Sequence, residues 1–105
     1  MNTQFKKGIV EMCVLSLVEK KDLYGFEVIE ALATAIDVNE NTVYPILRRL
    51  TAQSLFTTYM EQTSFGAPRK YYHLTDLGKE RLQAYRKEWQ SFLKGVNKIL
   101  GGIDQ

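Results

Sequence analysis

A chain of 105 residues, 45% hydrophobic and 25% charged, is one small globular domain and not a disordered or fibrous one. Its one cysteine, Cys13, rules out an internal disulfide, suits a reducing cytosol and sits in an apolar run as a small buried hydrophobe. A net charge of +2 neither demands nor excludes nucleic acid, so the distribution of charge decides. No signal peptide opens the chain, and the longest apolar run, Met12 to Val18 with Ser16 inside it, is far short of the ~20 residues that span a membrane. A soluble, cytoplasmic protein with no membrane partner is expected.

Phe5 to Lys20 reads as a first helix that is apolar almost all round, through Ile9, Val10, Met12, Cys13, Val14, Leu15, Leu17 and Val18. Such a helix must be covered on both sides, by the domain's own core and by a second subunit. A polar break at Lys20-Lys21-Asp22 precedes a second helix from about Tyr24 to Ala35, with Phe26, Ile29 and Leu32 or Ala33 as its stripe. Every charge from Asp22 to Glu40 is acidic, so this helix supports its neighbour and does not clamp phosphate. Gly25 permits close packing in its first turn.

The third helix, within Asn39 to Gln53, carries Val43, Ile46, Leu47 and Leu50 at i, i+3, i+4 and i+7, one buried stripe. At 100° per residue Asn41, Tyr44, Pro45, Arg48 and Ala52 fall on the opposite face, with Thr42 and Arg49 on a flank. Asn39 or Asn41 is the cap. Pro45 costs little if the cap is Asn41, and kinks the first turn if it is Asn39. A helix buried on one side and offering Arg, Tyr, Asn and Thr on the other suits the DNA major groove, although a solvated basic face has the same pattern.

Past Gln53-Ser54 the period falls from 3.6 to 2. Phe56 to Glu61 and Arg69 to Leu74 are strands joined through the turn-forming Gln62 to Pro68, with Arg69 and Lys70 at the base of the tip. The class is mainly α with a β-hairpin wing (α+β): a winged helix-turn-helix over 1–74, then a long helix over 75–105. Thr75 caps that helix, and Leu82, Tyr85, Trp89, Phe92, Val96, Ile99 and Ile103 follow at intervals of 3 and 4. This heptad seam projects beyond so small a domain and calls for a second copy.

Little in the chain can do chemistry. His73 is the only imidazole, no four-ligand zinc set exists, and Gly66 stands apart from any phosphate-cradling loop. No enzyme, metal or cofactor is expected. The cations, by contrast, gather: Arg48 and Arg49 on the third helix and Arg69 and Lys70 on the wing lie side by side in a winged helix. Phosphate contacts then supply affinity and base-edge contacts selectivity: Asn41, Thr42 and Tyr44 are the positioning or reading groups at the helix start, which Pro45 holds stiff, Arg48 and Arg49 suit guanine edges or phosphate, and Arg69 and Lys70 of the wing grip the backbone or minor groove. A winged helix that binds protein and not DNA, and a DNA binder without an effector, are the competing functions.

Leu23-Tyr24-Gly25-Phe26-Glu27-Val28-Ile29, Asn41-Thr42-Val43-Tyr44-Pro45-Ile46-Leu47-Arg48-Arg49-Leu50 and Arg69-Lys70-Tyr71-Tyr72-His73-Leu74-Thr75-Asp76-Leu77-Gly78 resemble, in order, the three signature blocks of the PadR family of bacterial transcriptional regulators. The resemblance implies a homodimer that represses transcription from palindromic double-stranded DNA operators on the bacterial nucleoid. With a single helix after the wing, the chain is similar to the family's short, multidrug-responsive branch. There the last helix crosses the partner's first helix, and paired tryptophans stack on planar hydrophobic effectors. By that likeness Phe5, Gly8, Met12, Trp89 and Phe92 line the ligand site, and Ile9, Leu82, Tyr85, Trp89, Phe92, Val96 and Ile99 form the dimer interface. The chain departs from the branch at Leu93, where an acid would attract cationic drugs.

Overall fold

The computed structural model describes the backbone of residues 3–101 and side chains from residue 7 to 101. The elements are α1 (Thr3–Lys20), β1 (Leu23–Tyr24), α2 (Gly25–Ala33), α3 (Glu40–Ala52), β2 (Phe56–Glu61), β3 (Arg69–Leu74) and α4 (Asp76–Leu100). The three strands form an antiparallel sheet in the order β1-β3-β2. This is the expected helical domain with a hairpin wing, plus one short strand that the sequence pattern did not announce. β1 explains why α2 begins at Gly25 and not at Tyr24. Tyr24 pairs with Tyr71 in the sheet, so its backbone is extended (φ −93°, ψ 165°) and it stands outside the helix as its cap. Glu27 reaches back to accept the Tyr24 amide at 3.1 Å, half of a capping box.

α1 is the central rod. It packs on α2, α3, α4 and β3, so most of its apolar circumference is covered by its own chain. Val10, Val14, Leu15 and Val18 meet Val28 and Leu32 of α2, the Val43, Ile46, Leu47 and Leu50 stripe of α3, and Phe56, Tyr72 and Leu74 of the sheet. No polar or charged residue is buried among the described residues, which leaves hydrophobic burial as the main driving term. Cys13 is half-buried and unpaired, and desolvation raises its thiol pKa, which makes it a poor nucleophile.

The turn from α3 into the wing is closed by two backbone bonds. The Leu55 amide donates to the Leu50 carbonyl at 2.9 Å and the Ser54 amide to the Thr51 carbonyl at 3.0 Å, the Schellman arrangement. Ser54 takes the left-handed position (φ +65°) that glycine usually fills. Thr75 then ties α4 to this turn: its hydroxyl donates to the Ser54 carbonyl at 2.7 Å and accepts the Gly78 amide at 3.0 Å. A Cβ at Gly78 would collide with the Leu55 carbonyl and the Leu74 side chain, so glycine is what lets α4 lie this close.

Two expectations about α4 change. Leu82, expected at a dimer interface, is fully buried in the same core as α1 and α3 and has no surface left for a partner. The first two turns of α4 thus complete the body of the domain, with Gly78 and Leu82 buried in it. Tyr85 also faces inward, its hydroxyl donating to Glu11 at 3.1 Å, and Arg86 pairs with Glu19 at 3.0 Å. Beyond Trp89 the stripe loses its cover: Phe92 is 55% exposed and Ile99 86%. Ile103 lies outside the described residues.

Candidate nucleic-acid interface

The start of α3 is capped by Asn39, whose side chain accepts the Asn41 amide at 2.9 Å while its carbonyl accepts Thr42 at 3.0 Å. This is the arrangement in which a kink is expected at Pro45; the helix runs without a break from Glu40 to Ala52. Pro45 removes the donor for the Asn41 carbonyl, and Asn41 is exposed, so water can take the place of that donor. The four-residue stripe is buried as expected, and Asn41, Tyr44, Pro45 and Arg48 are exposed opposite it, with Thr42 half-exposed. Tyr44 is braced from behind. A Cβ on Gly25 would approach its ring to 2.9 Å, so Gly25 is the seat that lets α2 and α3 close around this phenol.

The two arginines have different fates. Arg48 is exposed and makes no ion pair among the described residues, whereas the Arg49 guanidinium is held by Glu11 of α1. Arg49 therefore fastens α3 to α1, and a DNA contact would have to compete with that pair. The wing cations also separate, because neighbours on a strand point to opposite faces. Lys70 shares a face with Tyr72, a phenol whose pKa is raised by burial and by nearby Tyr44, and lowered by nearby Arg48. Arg69 lies on the other face, its guanidinium 4.5 Å from the Tyr24 ring centroid. That ring belongs to a ladder in which Tyr71 stacks on Tyr59 at 5.5 Å (12° between planes) and tilts against Tyr24 at 5.5 Å. Arg48 and Lys70 thus stand on the side of the sheet facing α3, while Arg69 is on the opposite face, stacked on Tyr24 of β1.

Polar contacts that the sequence pattern does not show hold this scaffold. Asp22 accepts the Tyr59 hydroxyl at 2.8 Å and lies 2.9 Å from His73 Nδ1, linking the α1–β1 connection to both wing strands. Partial burial raises the Asp22 pKa, but the bonds from His73 and Tyr59 and the charge of His73 outweigh it and lower it overall. The bond to Asp22, chiefly, pushes Tyr59 up to about 12. Glu11 was the more legible omission, since an acid on an otherwise apolar helix requires a cation or a hydroxyl, and it has both.

Where α1 meets α4 there is a cavity of about 330 Å³, lined by Gly8, Ile9, Met12, Tyr85, Glu88, Trp89 and Phe92. Four of the five residues expected around a ligand are therefore together. The side chain of the fifth, Phe5, lies outside the described residues. Val96 is half-buried further along α4. Glu88 places a carboxylate on the wall, the charge that Leu93 does not supply.

The family model of the transcriptional regulator PadR-like family matches residues 14–84, more than half of the chain. A PadR-like transcriptional regulator from Bacillus cereus is 33% identical and superposes with a TM-score of 0.85, over 96% of this chain and all of that one. A PadR family transcription regulator from Clostridium difficile is 34% identical with a TM-score of 0.80, covering 88% and 98% of the two chains. An uncharacterised protein of Lysinibacillus sphaericus is 28% identical over 93% of this chain and 94% of its own. In each case the likeness runs through the wing and into α4.

Proposed function

The chain belongs to the PadR-like family of transcriptional regulators, DNA-binding winged-helix proteins and not enzymes, and on that premise we propose that it is a homodimeric repressor of palindromic operators. The observation that carries this is the exposed face of α3: Asn41, Thr42, Tyr44, Pro45 and Arg48 stand clear of a fully buried stripe, beside a wing that presents Lys70 on the same side. Arg48 reads a base edge or grips phosphate, Lys70 supplies point charge, and Arg69 reaches the backbone from the base of the wing tip. Arg49 contributes chiefly by holding the helix at its angle. The second copy covers the α4 stripe from Trp89 through Ile99 together with Ile9 of α1, and spaces two α3 helices about 34–36 Å apart on one face of the duplex.

The cavity between α1 and α4 is the effector site in this reading. It takes a planar, hydrophobic molecule against Trp89, with Met12 and Phe92 as apolar walls and Glu88 favouring a cationic one. An effector acts only if it binds two dimer geometries with different affinity, since equal affinity shifts nothing.

Selection of bound duplexes from a random pool tests the whole. Enriched inverted repeats with one-turn half-site spacing, bound with a steep log–log dependence on salt, are the expected result. No enrichment, or a flat salt dependence, refutes it. Trp89 is the only tryptophan, so quenching of its fluorescence by planar aromatic cations reports the effector site.

A further inference from the structure

The hairpin's last cross-strand pair is Glu61 with Arg69, and residues 62–68 form a tip beyond it. At its centre Phe65 is 93% exposed. A solitary exposed hydrophobe is ordinary on a protein surface, but this one is built into a fixed turn. The Thr63 hydroxyl lies 2.7 Å from the Phe65 carbonyl and 3.3 Å from those of Gly66 and Ala67. Gly66 occupies the positive-φ region at +91°, which reverses the chain directly after the phenyl group. The backbone is folded inward on Thr63 and the ring is left outside. None of residues 62–68 is charged, so the tip itself carries nothing that repels a polyanion; at its base Glu61 stands opposite Arg69, and Lys70 follows.

We propose that Phe65 is an apolar wedge, which enters the minor groove flanking each α3 half-site and partly unstacks one base step there. The proposal rests on the DNA-binding geometry above: with α3 in a major groove, the wing beside it meets the neighbouring minor groove across one phosphate ridge. An inserted phenyl group kinks the duplex, and that distortion is easiest at pyrimidine–purine steps. The chain therefore selects sequence at a fixed distance outside the bases that α3 touches, through deformability and without a hydrogen bond.

The test uses the full chain and a duplex recovered by random-pool selection, with 2-aminopurine placed in turn at each step outside the α3 half-site. Protein is expected to raise the fluorescence severalfold at one flanking step per half-site, with pyrimidine–purine steps enriched there. Phe65→Ala is expected to abolish that rise and to weaken binding roughly tenfold. Its log–log salt slope stays unchanged because no phosphate contact is lost, and Phe65→Leu keeps most of the signal. Circular dichroism of the Phe65→Ala protein is expected to match the parent, since the ring packs on nothing that holds the fold. Flat fluorescence at every step with normal binding overturns the wedge alone, as does a Phe65→Ala protein that unstacks like the parent. Failure to recover any duplex overturns both the wedge and the DNA-binding geometry beneath it.

Discussion

α3 and α4 carry the same kind of apolar stripe and meet different ends. All four stripe residues of α3 are buried within the chain, against α1, α2 and the base of the sheet. The stripe of α4 begins the same way at Leu82 and then leaves its cover, until Ile99 is almost wholly exposed. The difference lies in length. A helix of 13 residues fits across the body, while one of 25 residues, about 37 Å at 1.5 Å per residue, outruns it. Periodicity states that a helix has an apolar side; how much body lies beside it determines what covers that side.

The widest separation is expected in the stability of truncated stripes. Leu47→Ala and Leu82→Ala should each lose about 3 kcal/mol in urea unfolding, whereas Ile99→Ala should change monomer stability by less than about 0.5 kcal/mol. Ile99→Ala should instead raise the dimer dissociation constant in sedimentation equilibrium. Equal stability losses at Leu47 and Ile99, or no change in self-association for Ile99→Ala, would break the contrast between the helices.

Within α3 the two adjacent arginines sharpen it. Arg48→Ala should weaken operator binding by about 1–3 kcal/mol, roughly five- to 150-fold, with little loss of stability. Glu11→Gln should lower stability by about 1–2 kcal/mol by leaving Arg49 without a charged acceptor. Binding measured at a temperature where both proteins are folded should then remain near the parent's. The reverse pattern would mean that Arg49, and not Arg48, meets the DNA.

At the end of α3, Ser54→Gly should stabilise the chain by about 0.5 kcal/mol, because glycine takes the left-handed position at no steric cost. A destabilised variant would show that the hydroxyl does something the Schellman turn does not explain. The smallest effect belongs to the wing's polar lock. The Asp22 pKa is lowered by folding, so its contribution is complete above the ordinary carboxylate pKa and is lost as pH falls through the lowered value. Comparing Asp22→Asn with the parent, the stability difference should shrink on acidification from about pH 5 to pH 2. A difference constant across that range would detach Asp22 from His73 and Tyr59.

Much of this was legible because it is local. The stripe of α3, the period change at the wing and the Thr75 cap need only near neighbours along the chain, and all are present. Leu82 was misjudged for the opposite reason. Its place in the heptad seam is real, but the seam's first turns are buried by α1, which lies more than sixty residues away in sequence. β1 was invisible because two residues carry no period, and Tyr24 pairs there only when β3 is already beside it. The directions of the four cations were not legible, since a count of charges contains none: Arg49 turns to Glu11, and Arg69 stacks on Tyr24.

The sequence by itself determined the helices, the hairpin and the family, because these follow from spacing and residue type along the chain. Tertiary structure alone decided which cations remain free, which apolar residues lack a cover and which glycines are seats for a neighbour. Those properties depend on what stands across a gap of a few ångströms, and distance along a chain does not encode distance through space.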